Sequence, residues 1–215
     1  MHDLRSIIKK LEKIPITRVH SHSNRCCEIA RTYIIYLDLS LMQDSDPMEP
    51  PTWLRARYEW KPVKHPVFWC QIPSMEGMDC GLFAAVTREI YKARGVYTLP
   101  VQMILKYPSY VSKHWISLWR KSNLNANWVV GEYVYHEAVA ILCSEYEVKI
   151  YDPTLNVYVR PGKHLDRATV VAIKILAEND RLCAHVFLSW DGKWTKLNEW
   201  VILSEQLRYC RDTGR

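Results

Sequence analysis

Apolar residues recur at helical spacing over the first half of this chain and bunch into short β-branched runs over the second. Leu4, Ile7, Ile8 and Leu11 share one helix face, Asp3 stands where an N-cap belongs and Pro15 stops the run, which predicts a helix over residues 3–14. A second helix is predicted over 24–42, with Ile29, Tyr33, Tyr36 and Leu37 as its apolar side. Residues 44–51 hold three prolines and read as a breaker. Residues 64–79, with Pro66, Pro73 and Gly77, form an irregular lead into a helix that opens at Cys80 and ends near Gly95, with Lys92 and Arg94 in its last turn. Further helical pieces are predicted near 99–106, where Pro100 suits a first turn, and over 109–121.

The pattern then changes. Residues 128–135 are β-branched and aromatic, and 136–143 and 147–152 make a second pair of strand-like runs. A helix is expected near 166–178, with Asp166 as its cap, and a hairpin over 182–190 and 193–203 around Asp191-Gly192. Helices first and strands later predict an α+β fold rather than alternating βαβ units. The breaker suggests a helical N-terminal extension over 1–60 ahead of a catalytic domain over 61–215 ending in an antiparallel sheet, although a single domain also fits.

Composition narrows the class. With 215 residues, 48% of them hydrophobic, the chain is large enough for a sizeable core. No apolar stretch reaches the roughly 20 residues that span a bilayer, and the N-terminus has no apolar signal region. No membrane partner and a cytoplasmic location are therefore the expectation. Seven cysteines at irregular spacing fit a reducing compartment better than a disulfide framework. The net charge of +6 is spread along the chain without a recognised motif, so nucleic acid is not the expected partner. Nine tryptophans are read as core and pocket-wall residues.

The candidate chemistry centres on Cys80 in Gly77-Met78-Asp79-Cys80-Gly81. A thiol at a helix N-terminus faces unpaired amides and the positive end of the dipole, which predicts a stabilised thiolate, the nucleophile of cysteine hydrolases and acyltransferases. His136 opens one strand-like run and Asp152 closes the next. A hairpin centred near residue 144 sets the two directly opposite each other, where Cβ atoms lie ~4.5–5.5 Å apart. Asp152 would then orient His136 as a general base.

These residues carry a resemblance. Cys at a helix start, then His, then Asp on successive strands resembles the papain-like and transglutaminase-like cysteine enzymes. Asp79-Cys80-Gly81-Leu82-Phe83-Ala84-Ala85, His136-Glu137-Ala138-Val139 and Tyr151-Asp152-Pro153 are most similar to C39-type peptidases, over roughly residues 70–155. The resemblance implies a papain-like fold and a Cys80–His136–Asp152 triad. It also implies a glutamine upstream of the thiol that helps bind the oxyanion, a place Gln71 takes. It further implies a peptide or other acyl-carrying substrate, possibly protein-borne, with no cofactor and no metal. The rest of the chain carries no such likeness. Hydrolysis and acyl transfer share this machinery, and a catalytically inactive papain-like binding module is the alternative.

Other groups compete less well. His185 with Asp191 is a rival base pair, although the Asp191-Gly192 turn already accounts for Asp191. His20, His22, Cys26 and Cys27 cluster without standard metal-ligand spacing. Cys26, Cys27, Cys143, Cys183 and Cys210 read as structural, Cys70 as a minor candidate thiol, and His114 and His164 as exposed. Glu137 faces away from His136 on the same strand and is given no part in the chemistry.

Overall fold

The computed structural model describes residues 3–42, 45–160, 164–165, 167–177 and 186–203. Expectations for Asp166, Cys183, His185, Cys210 and the His164 side chain fall outside the described residues. Five α-helices occur among the described residues: α1 (Leu4–Leu11), α2 (Arg25–Met42), α3 (Trp53–Arg57), α4 (Cys80–Ala93) and α5 (Ser109–Lys121). The longer strands and their partners are β1 (Thr98–Lys106), β2 (Tyr133–Leu142), β3 (Val148–Asp152), β4 (Val157–Tyr158), β5 (His164–Leu165), β6 (Ala168–Ile175), β7 (Phe187–Trp190) and β8 (Lys193–Lys196). The fold is α+β. No helix among the described residues is long and apolar enough to cross a membrane.

The main sheet runs β5–β6–β1–β2–β3–β4, with every neighbouring pair antiparallel. Two of its strands correct the sequence reading. Residues 98–106 and 168–175 were expected to be helical and are the strands β1 and β6, paired with each other. Leu99 through Leu105 is buried without a break, because helices cover one face of the sheet and a second core covers the other. A strand buried on both faces shows a continuous apolar run instead of alternation, so its period cannot be told from a buried helix. In β6 the β-branched Thr169, Val170, Val171 and Ile173 favour extended backbone. A register shift between Val170 and Ala172 breaks what alternation there is. The β7–β8 hairpin turns at Asp191 and Gly192, both at positive φ, as a two-residue hairpin turn requires.

The expected division near residue 60 is not a packing boundary. Ile7, Ile8 and Leu11 of α1 pack against Ile104, Tyr135 and Ala172 of the sheet. Cys27 and Ile34 of α2 share a core with Leu82, Phe83 and Val86 of α4. The buried side of α2 also differs from the one expected. Cys27, Ala30, Ile34 and Asp38 face inward, while Ile29, Tyr33 and Tyr36 are 59%, 49% and 68% exposed. Because apolar residues occur all round this helix, periodicity alone does not choose a side. A buried ion pair fixes it: Arg94 donates from Nη2 (2.6 Å) and Nε (2.8 Å) to Asp38, and Trp53 Nε1 adds a third bond at 2.8 Å. A bidentate guanidinium–carboxylate pair offsets part of the cost of burying both charges, provided that the remaining lone pairs are met.

α4 is buried on two sides. Leu82, Phe83, Val86 and Ile90 enter the α2 core, while Ala84 and Tyr91 pack on Val139, Ile141 and Tyr151 of the sheet. Its ends are well defined. Asp79 accepts from Leu82 N–H at 2.9 Å as N-cap. Gly95, at φ +78°, lets Val96 N–H close on Tyr91 O at 2.9 Å. The helix that carries Cys80 is thus held between two cores, with its first turn fixed in position.

Candidate active site

β2 and β3 supply the base and its partner, though not in the register expected. Val139 pairs with Tyr151 and Ala140 with Ile150. Continuing that register puts Asp152 level with Ala138, two residues along from His136. The two side chains are therefore diagonal neighbours on one face instead of a directly opposed pair, a spacing that long side chains still bridge. The bridge forms: His136 Nε2 lies 2.8 Å from Asp152 Oδ2, with the carboxylate fully buried and the imidazole 10% exposed. Asp152 Oδ1 accepts from Thr154 N–H at 2.9 Å and Leu155 N–H at 3.4 Å, so both carboxylate oxygens are committed. With Nε2 engaged by Asp152, Nδ1 is the nitrogen left to meet a thiol.

That thiol is Cys80. The half-buried sulfur lies within hydrogen-bonding reach of the His136 ring, and both residues line one cavity. The electrostatics differ from the sequence expectation. Burial pushes the Cys80 thiol up, outweighing the pull of His136 towards the thiolate. Burial alone would lower His136, but the Asp152 charge and the Cys80 sulfur outweigh it and hold the imidazole well above its ordinary value. A lone thiolate is therefore costly here, and ionisation is favourable only as a pair, with the proton moved to His136. The position at a helix start is as expected; the lowered thiol is not.

Gln71 does not join this group. It is exposed, and its Oε1 accepts from Phe68 N–H at 2.8 Å within the 3₁₀ turn Trp69–Ser74. It is absent from the walls of the cavity that holds Cys80. Of the first-turn amides of α4, Leu82 N–H is taken by Asp79 Oδ1 and Phe83 N–H by Asp79 O, which leaves those of Cys80 and Gly81 as the candidate oxyanion donors.

Three features around the site carried little or no signal in the sequence. The first is a second imidazole–carboxylate pair one residue before the thiol. His65 Nε2 lies 2.7 Å from Asp79 Oδ2, with side chains 35% and 6% exposed. Burial opposes the charged imidazole, but the hydrogen bond and charge of Asp79 outweigh it and raise His65. Nothing in the spacing pointed to His65, and the sequence reading gave Asp79 no role of its own.

The second is Glu137, buried beneath the start of α4. It accepts from Thr17 N–H at 3.1 Å, Thr17 Oγ1 at 2.9 Å and Tyr135 OH at 3.2 Å. Burial raises its carboxyl to about 6. Gln102 Nε2 ties Tyr135 OH and Ile14 O into the same network at 3.2 and 3.1 Å. Gly81 is required here, because a Cβ at that position would sit 2.8 Å from Thr17 Cβ and closer still to its hydroxyl oxygen.

The third is the cavity itself, about 200 Å³, which opens beside Cys80 and His136 between Trp60, Trp115 and Trp128. Trp60 and Trp115 meet edge to face, with centroids 4.6 Å apart.

The remaining candidates lie elsewhere. Cys70 contacts Cys27 and Cys26 at the start of α2, and the hydrogen bond with Cys27, followed by burial, pushes it up to about 11. Among the described residues no group of three or more His, Cys, Asp or Glu side chains is placed to hold a metal ion. His114 is exposed. Comparisons with protein-family models, curated proteins and solved structures return no match to this chain.

Proposed function

We propose that this chain is a cysteine-nucleophile enzyme with a papain-like arrangement, acting on an amide, ester or thioester carbonyl through an acyl-enzyme. The observation that supports it best is the buried relay in which Asp152 holds His136 by Nε2 and His136 reaches Cys80 at the mouth of an open cavity. Cys80 Sγ attacks the carbonyl carbon while its proton passes to His136. The amides of Cys80 and Gly81 at the start of α4 serve the oxygen that gains charge. Collapse breaks the bond to the leaving group, and His136 returns the proton to the departing amine, alcohol or thiol. Water or an amine then attacks the thioester, again with His136 as base, and the S–C bond breaks to restore the thiol.

Activated esters test the reading without knowledge of the natural substrate. Incubation with p-nitrophenyl acetate should release nitrophenolate and leave an acetyl group on Cys80, located by digestion and mass spectrometry. His136→Ala should lose the adduct. Acetylation spread equally over the other thiols, or unchanged release by Cys80→Ala, would overturn the proposal.

A further inference from the structure

We infer that the acyl group taken up by Cys80 carries an aromatic side chain, which seats in the cavity between Trp60, Trp115 and Trp128. This rests on the acyl-enzyme reading and adds the substrate class to it. The cavity holds about 200 Å³, and Cys80 and His136 form one of its ends. A closed apolar cavity of ~150 Å³ admits a benzene molecule, so a phenyl-sized ring fits here with room for a methylene linker. Because the nucleophile stands at the cavity wall, a group seated inside is attached within a few bonds of the carbonyl it attacks.

The walls select the chemistry. Besides the three indoles, Val134 and Leu155 present apolar surface, and the Trp60–Trp115 edge-to-face pair shows that flat rings pack well in this place. Aromatic walls alone would also suit an organic cation. Here the guanidinium of Arg55 is part of the same wall, 5.6 Å from the Phe83 ring centroid, with one N–H on Tyr58 O at 2.9 Å. Its charge opposes a second cation in the cavity, and no carboxylate shares the wall to offset it. A lysyl or arginyl side chain is therefore disfavoured, and a glycyl or alanyl one leaves the indoles wet. A neutral ring removes the most apolar surface from water.

Two measurements separate this inference from the reading beneath it. First, Cys80→Ala protein, which cannot be acylated, is titrated with N-acetyl-phenylalaninamide, N-acetyl-alaninamide and N-acetyl-lysinamide while the indole N–H resonances are followed. The phenylalanine amide should shift several indole signals and bind at least tenfold more tightly than the other two, as burial of one ring implies. Equal binding by all three, or tighter binding of the lysine amide, overturns the inference. Second, wild-type protein is acylated with p-nitrophenyl esters of 3-phenylpropanoate and butyrate. The aryl ester should react at least tenfold faster, and Trp115→Leu and Trp60→Leu should each reduce the ratio of the aryl to the butyrate rate. Equal rates with the two esters overturn the aryl assignment but leave the acyl-enzyme intact. Aryl binding to Cys80→Ala without acylation of wild type by any ester does the reverse.

Discussion

Two imidazole–carboxylate pairs flank the candidate thiol, and their difference shows how surroundings separate two similar histidines. His136–Asp152 and His65–Asp79 have nearly the same length, 2.8 and 2.7 Å, and both imidazoles are raised by their partners. Distance and charge thus do not tell them apart. Placement does. His136 is 10% exposed, its carboxylate holds two further amides, and its ring meets Cys80 at the wall of a cavity. His65 is 35% exposed, is not among the cavity walls, and its carboxylate is the N-cap of α4. One pair is arranged around the sulfur; the other holds the helix that carries it.

The sharpest way to break this comparison is to remove each imidazole in turn. His136→Ala is expected to lower kcat/KM by about 10³–10⁴-fold, the range over which a positioned acid–base group acts, while His65→Ala costs less than about tenfold. Equal losses would erase the distinction. Asp152→Asn should cost about 10²–10⁴-fold with the fold retained, because the imidazole loses the partner that sets its tautomer and charge; circular dichroism and ester kinetics on one preparation would show both.

Next in size is a pH effect. Glu137 ionises near 4.5 when unfolded and near 6 when folded, so the folded form holds the proton more tightly between those values. The contribution of Glu137 to stability should be fully present below pH 4.5 and fall by about 2 kcal/mol as pH rises past 6. Glu137→Gln should flatten that slope in urea titrations.

The smallest expected effect belongs to the helix-bound pair. Asp79→Ala should destabilise the fold by about 1–2 kcal/mol through loss of the cap. For His65, raised above its ordinary 6.5, the contribution is fully present below that pH and disappears as pH climbs through the folded value. His65→Gln should remove this loss from the stability profile while leaving the acylation profile in place.

Legibility in the sequence followed the same division. Cys80 at a helix start and Gly95 at its end are local signals, and the structure bears each one out. The hairpin that brings His136 to Asp152 was legible to within two residues, because strand runs show their period but not the turn that sets their register. β1 was misread because burial on both faces erases alternation, and β6 because a register shift interrupts its alternation of buried and half-buried positions. The ionisation of Cys80 was misread because a helix dipole is visible in a sequence, whereas desolvation of the sulfur in the folded chain is not. Gln71 was assigned by likeness alone, and its carbonyl oxygen caps a turn instead.

Thr17 and Glu137, hydrogen-bonded to each other against Gly81 in the first turn of α4, lie 120 residues apart in the chain. Closing so long a loop costs entropy before any contact repays it, and non-local contacts of this kind slow folding. On the ribosome, α4 is made well before the strand that locks it in place. The site is therefore complete only once most of the chain has been made, and Cys80 meets His136 and Glu137 together, late in synthesis.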